Sequence, residues 1–576
     1  MRASKIANCS AVWWFRTLLQ SLRRALLLCC VSAGCLQAFP QAPTTGDLQT
    51  ITGTVVNQLT REPIARALVF STDNRLAALT DDEGHFSFSV PRQEQSGQPD
   101  HIVFFGPPNL IQFGTTALSA RKPGFLQDPE GSRTPATSLV ISLMPEAIIH
   151  GRVLSGTAEP AANMTVQLFK RGVQEGSLHW IPSTSTQTNS TGEYRFADLP
   201  PGEYRVMTQE LLDTDPETSP PGSQVYGFPP ACFPGIPDFA SGTTITLSMG
   251  QRFHADIRLA RQAYYPVAIP VLNTDSPGLN VTVSAQAHPG PGYSLGYNAG
   301  THRIEGLLPN GTYEVQAFGF GPEPASGQVT FTISGREVNS PSMAVAPSGV
   351  IPIEVHEEFT QEWNGQSTWT NGKHTFELHG PRIYLQMWLE PVDDFSQLGR
   401  PFLRPPLSRP DEPLVLENVL PGAYWVRFHT SRGYVQSVSS NGTDLLHHPL
   451  VVTSGSPASI EVDMRDDTAQ VSGTISGVKT AGAGANQPFY GTTAHVYFIP
   501  LPDSAGAFQD SFAMPDGAFF STLPPGTYRV LAFARPRSNL PYRDATAMRA
   551  YADQGQVVTL VPGQTERLQL QLSSGD

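Results

Sequence analysis

LPPGEYRV, from Leu199 to Val206, returns as LPNGTYEV at Leu308–Val315, as LPGAYWV at Leu420–Val426 and as LPPGTYRV at Leu523–Val530. The copies begin 109, 112 and 103 residues apart, the length of one small β-sandwich domain. Pro and Gly turn the chain tightly, and the Tyr and Val that follow alternate along a strand and share one face. Such a face enters a sandwich core. Tyr204, Tyr313, Tyr424 and Tyr528 are therefore read as core or corner residues rather than as catalytic phenols.

A second pattern precedes several of these strands. It reads GTVVNQLTREPIARALVFSTD from Gly53, GRVLSGTAEPAANMTVQLFK from Gly151 and GTISGVKTAGAGANQPFYGTTAHVYFIP from Gly473. Each predicts a strand, a polar turn and a second strand with alternating apolar residues. TDDEGHFSFSVP, TNSTGEYRFADLP and MPDGAFFSTLP follow, in which a turn glycine free to take positive φ leads into an aromatic strand.

The composition agrees. Across 576 residues, Gly 51 and Pro 52 are about 18% of the chain against a usual ~12%, while charged residues are 15%. Long surface helices and coiled coils are disfavoured, since they need Glu, Lys, Arg and Leu at helical spacing. Hydrophobic residues at 39%, with 30 Phe and 16 Tyr, suffice for several modest cores. The expectation is an all-β chain of tandem small antiparallel sandwiches.

Arg2, Lys5, Arg16, Arg23 and Arg24 precede the apolar run Ala25–Gly34, and no acid lies among them. Residues 1–38 are thus expected to be an export signal, cleaved near Gln37-Ala38. A signal anchor and lipidation at Cys35 are the competing readings. Four of five cysteines (Cys9, Cys29, Cys30, Cys35) sit in or beside this leader, which leaves Cys232 without an intrachain partner. No later run reaches the 18 or so apolar residues of a membrane span. Without the leader, 32 basic groups face 50 acidic ones, a balance of −18, so a phosphate-binding groove for nucleic acid is not expected.

Taken together, Gly-x-Val, Pro-x-x-x-Ala-x-Val, a turn Gly before an aromatic strand and Leu-Pro-Pro-Gly-x-Tyr-x-Val resemble carboxypeptidase regulatory-like domains of the transthyretin-like (prealbumin-like, CNA-B-like) type. The tandem arrangement is similar to that of exported acidobacterial-type proteins. The resemblance is strong over 48–145, 146–259 and 468–576 and weaker over 260–350 and 351–467, where the Leu-Pro-x-Gly-x-Tyr element persists. It implies five sandwich modules with those bounds, usually without a peptidase site. The Pro/Gly-rich stretches PETSPPGSQVYGFPPACFPG and RPFLRPPLSRPDEP are expected to be long sandwich loops.

Catalytic patterns are sparse. Gly292–Gly296 spells Gly-x-Ser-x-Gly around Ser294, but HPGPGY before it and NAG after it do not supply the strand and helix of a nucleophile elbow. Ser119 and Lys122 form Ser-x-x-Lys without partner motifs. His356-Glu357 lacks the second histidine of a zinc-peptidase helix, because position 360 is Thr. His447 with His448, and His374 with His379, are not spaced for shared ligation on a strand. No catalytic, cofactor-binding or metal residue is assigned. Asp81-Asp82-Glu83 and Asp213 with Asp215 group carboxylates in turns, where capping competes with calcium binding. The sequons Asn163-Met164-Thr165 and Asn441-Gly442-Thr443 matter only in a glycosylating host.

Tyr226, Phe228, Trp180, Trp363 and Trp369 are the aromatic candidates for stacking on sugars. Asn364-Gly365 places a turn between the last two. The leading functional reading is an exported, non-enzymatic scaffold or adhesion and protein-interaction protein, secreted, periplasmic or attached to the outer envelope, with its modules in an extended rod. A carbohydrate-binding accessory protein is second, its partner a polysaccharide, and a cryptic hydrolase third.

Overall fold

The computed structural model describes residues 48–71, 74–91, 111–113, 116–127, 139–213, 220, 223–273, 278–287, 290–319, 324–335, 338–339, 341–372, 374–395, 399–453, 458–478, 494–502, 504, 506–514, 516–537 and 540–573. The leader, Cys35 and Asp215 lie outside them, as does the side chain of His374. The chain forms two compact units, Met1–Met144 and Pro145–Asp576.

The protein is all-β. Among the described residues, buried apolar side chains gather into five large cores, spanning Ile51–Leu143, Ala147–Leu259, Val267–Val345, Ile351–Met464 and Ala469–Leu570. Each core is enclosed by two sheets, and one topological rule recurs in all five. The leading strand pairs antiparallel with one neighbour and parallel with another from the end of the same segment. In the second sandwich, for example, Ala147–Ser155 pairs antiparallel with Glu193–Leu199 and parallel with Arg252–His254 and Ile257–Leu259. In the fifth, Ala469–Ser476 does the same with Ala518–Leu523 and Thr565–Gln571.

This parallel closure explains the recurrent glycine of the Gly-x-Val element. A Cβ on Gly151 would fall 2.1 Å from the Ala255 carbonyl oxygen, and one on Gly473 2.4 Å from that of Leu568. At Gly53 it would meet the Leu139 carbonyl at 2.6 Å. Only glycine lets the returning backbone come this close.

The Leu-Pro-Gly-Tyr element carries the chain from one sheet to the other. Each of its tyrosines is at most 1% exposed. Tyr204, Tyr313, Tyr424 and Tyr528 donate through their hydroxyls to the carbonyls of Pro200, Pro309, Leu420 and Pro524, at 2.7, 3.0, 2.8 and 2.7 Å. The ring fills the core while its one polar atom is paired four residues upstream, across the turn. This is the logic of a tyrosine corner. Burial pushes all four phenols up, Tyr204 to about 12.

Two expectations fail in the larger unit. Val225–Phe228, inside a stretch read as loop, is a strand that pairs antiparallel with Gln262–Leu272 of the next sandwich, and Leu211–Leu212 extends the same sheet. The exposed backbone edge of the third sandwich outweighs the prolines nearby, which lie outside the paired residues. Nor are the sandwiches connected only to their neighbours in a rod. The long hairpin of Thr165–Gln174 and Ser177–Gln187 in the second reaches both the fourth and the fifth.

Candidate functional site

The contacts of that hairpin border a large concavity. At its tip, Arg543 of the fifth sandwich donates its backbone N–H to the Gly176 carbonyl and its Nε to the Glu175 carbonyl, both at 2.8 Å. Gly176, at φ 77°, lies flat against the Tyr542 ring, which also stacks on the Phe508 ring 3.9 Å away at 5°. Further down the hairpin, His179 Nδ1 and the Trp180 backbone N–H hold the two oxygens of Asp394 in the fourth sandwich, at 2.5 and 2.8 Å. Phe395 then inserts its ring edge-on against Phe169 and Phe239 of the second, with centroids 5.7 and 4.6 Å apart. These pairs join an apolar cluster with Met207 and Cys232. Burial raises the Cys232 thiol to about 12, so it stays a protonated packing group.

A groove of about 1050 Å³ opens between the second, fourth and fifth sandwiches. Its floor is the outward face of the sheet formed by Leu385–Pro391 and Gly422–Thr430. Their register sets Trp388 opposite Arg427, Glu390 opposite Trp425 and Gln386 opposite His429, so these six side chains share that face. Phe508, Tyr542 and Arg543 form the facing wall. Beneath the aromatic surface, Arg427 Nε binds Glu390 at 2.8 Å in a pair only 6% and 3% exposed, and Arg400 approaches the other Glu390 oxygen at 3.3 Å. Burial lowers the Arg427 guanidinium, with nearby Arg543 acting in the same direction.

The residues singled out from sequence lie elsewhere, and most are absorbed into the fold. Ser294 donates its backbone N–H and Oγ to one Glu210 oxygen, at 2.7 and 2.6 Å, which ties the third sandwich to the second. Ser119 accepts from Gln127 at 2.9 Å and Lys122 holds the Ala65 carbonyl at 2.9 Å. Glu357 accepts the Tyr384 hydroxyl. His447 binds Asp444 at 2.7 Å in a turn shared with His448, and His379 is exposed just beyond the strand His374–Leu378. Asp81 caps its own turn through the N–H groups of Glu83 and His85, while Asp213 pairs with Arg261. Among the described residues, no group of three His, Cys, Asp or Glu side chains is placed to hold one metal ion. No helix among them is long and apolar enough to cross a membrane.

The aromatic candidates divide. Trp180 is covered by Arg205, 4.4 Å from its ring, and by Phe239. Phe228 packs on the second core, and Arg261 lies over Tyr226 at 4.1 Å. Trp363 is 43% exposed but stands against Tyr384 and Arg432, and Trp369 is on a separate hairpin, Ser367–Asn371 with His374–Leu378. Sequence reasoning missed Trp388, Trp425 and Tyr542. The alternation of LQMWLEP and GAYWVRF does place both tryptophans opposite the core-facing residues, and that was the available signal.

Fold and groove together define a tandem β-sandwich protein whose larger unit is cross-braced. Residues 148–219, within the second sandwich, match the carboxypeptidase regulatory-like domain family. No curated protein matches the chain. Similar solved structures include the Bacillus anthracis TIE protein, at 12% identity over 52% of this chain and 51% of that one, with a TM-score of 0.15. A streptococcal ancillary pilin is 12% identical over 52% and 100%, TM-score 0.17, and the shaft pilin SpaA from Lactobacillus rhamnosus GG 10% over 36% and 99%, TM-score 0.13. The chain spans about half the length of the Bacillus protein.

Proposed function

We propose that the chain is an exported, non-catalytic scaffold of five sandwich modules, 48–145, 146–259, 260–350, 351–467 and 468–576, which presents loops and sheet edges to a partner protein in the cell envelope. The observation that carries this reading is the fate of the catalytic look-alikes. Ser294, Lys122 and Glu357 each spend their reactive atoms on holding the fold together. The acidic balance and the basic-then-apolar leader support export, with cleavage near Ala38 or acylation at Cys35 as its two forms.

The last sandwich offers a surface for such a partner. Gln509–Phe512 and Ala518–Leu523 are edge strands of its two sheets, and Phe512 and Phe520 on them are exposed. Unpaired strand edges recruit other chains. The test is to produce the full chain in a Gram-negative host, fractionate the cells and photo-crosslink from positions 512 and 520. The reading expects an extracytoplasmic chain beginning near Ala38 or acylated at Cys35, with discrete adducts to an envelope protein. A full-length cytoplasmic chain without adducts contradicts it.

A further inference from the structure

We propose that the groove between the second, fourth and fifth sandwiches binds a neutral oligosaccharide. This goes beyond the scaffold reading by giving the larger unit a ligand class of its own, and it does not require that reading to hold.

What the groove still has to offer selects the ligand class. Its arginines are committed: Arg427 to Glu390, Arg529 to the Ala552 and Gln554 carbonyls at 2.6 and 3.1 Å, Arg543 to the Glu175 carbonyl. Across the lining, Arg427, Arg529 and Arg543 are matched by Glu175, Asp466 and Asp510, so no net positive charge selects an anionic ligand. A wholly apolar ligand would strip water from His429, Ser431, Gln509 and the backbone at 499–502 and 506–510 without replacing its hydrogen bonds, which is costly. What remains are the ring surfaces of Trp388 and Trp425 on the floor, with the rim of the Phe508–Tyr542 stack on the wall, interleaved with uncharged donors and acceptors. A pyranose chain has this duality: C–H faces that lie on aromatic rings and hydroxyls at the rim that take part in hydrogen bonds. About 1050 Å³ is at the upper end of small-ligand pockets, room for several sugar rings.

The experiment titrates the full chain with cellohexaose, xylohexaose, mannohexaose, laminarihexaose and maltohexaose, with polygalacturonate as the anionic arm and a proline-rich peptide as the protein arm, read by tryptophan fluorescence and calorimetry. Trp425→Ala should weaken binding of one neutral hexaose at least tenfold. His429→Ala, an exposed change that leaves the core intact, should weaken it severalfold, and Trp369→Ala on the distant hairpin should not alter it. Silence from a folded chain, binding indifferent to Trp425 and His429, or tighter binding of polygalacturonate or the peptide at these residues would overturn the proposal. Because this readout is binding in solution, it can fail while the localisation and crosslinking test succeeds, and the reverse.

Discussion

The Phe395 ring of the fourth sandwich stands edge-on to Phe239 of the second, with centroids 4.6 Å apart, although a whole sandwich separates them in the chain. Together with Asp394 on His179 and Arg543 on Glu175, this contact turns a string of similar modules into a braced unit. Through Glu175 and Ser177 the braced hairpin also lines the groove. Its consequences can be measured.

The corner tyrosines are expected to be stability determinants. Tyr528→Phe removes a hydroxyl bond to Pro524 and should cost about 1 kcal/mol, whereas Tyr528→Ala empties a buried ring site and should cost ~3–5 kcal/mol. Calorimetric scanning of the full chain would show the transition of the last sandwich move down in that order. An unmoved transition for the alanine variant would contradict a core role.

Beneath the groove, the Glu390–Arg427 pair should behave as a buried charge pair. Glu390→Leu leaves the guanidinium of Arg427 in a site only 6% exposed, and should cost ~3–5 kcal/mol in urea unfolding. Glu390→Leu with Arg427→Met should recover much of the loss, because neither charge is then stranded. A double variant as unstable as the sum of the singles would refute the pairing.

A pH dependence is expected at the joint between the second and third sandwiches. Burial raises the Glu210 carboxyl, while its hydrogen bonds from Ser294 pull it down by less. Folded Glu210 thus holds its proton to higher pH than the unfolded chain, where a glutamic acid titrates near ~4.3. Its effect is a loss of stability as pH rises from about that value through the folded pKa, and a plateau beyond. Glu210→Gln should flatten this part of the curve in urea unfolding followed between pH 4 and 8. An unchanged slope would show that Glu210 is not desolvated.

Much of the fold was legible because its signals are local. The turn glycines Gly84, Gly192 and Gly517 take φ of 76°, 74° and 83°, as their Asp-Glu-Gly, Ser-Thr-Gly and Asp-Gly contexts require. The tyrosine periodicity marks the strand that crosses between sheets. The brace left no such trace. Glu175 and Gly176 read as an ordinary hairpin tip, and their partner Arg543 lies 368 residues beyond Glu175. Trp180 has the look of a free aromatic in sequence, yet Arg205 and Phe239, farther along its own sandwich, enclose it. Likewise Val225–Phe228 pairs with a sheet edge that only the folded third sandwich provides.

Hydrogen exchange over residues 170–182, compared between the parent chain, Tyr542→Ala and Phe395→Ala, tests the braced arrangement most directly. Both substitutions lie hundreds of residues from the hairpin in sequence and touch it only through the folded contacts. The account predicts faster exchange at the hairpin tip in the first variant and around His179 and Trp180 in the second, with the Ala469–Ser476 strand unchanged. Identical exchange in all three proteins would mean that the second, fourth and fifth sandwiches do not hold one another, and that no groove lies between them.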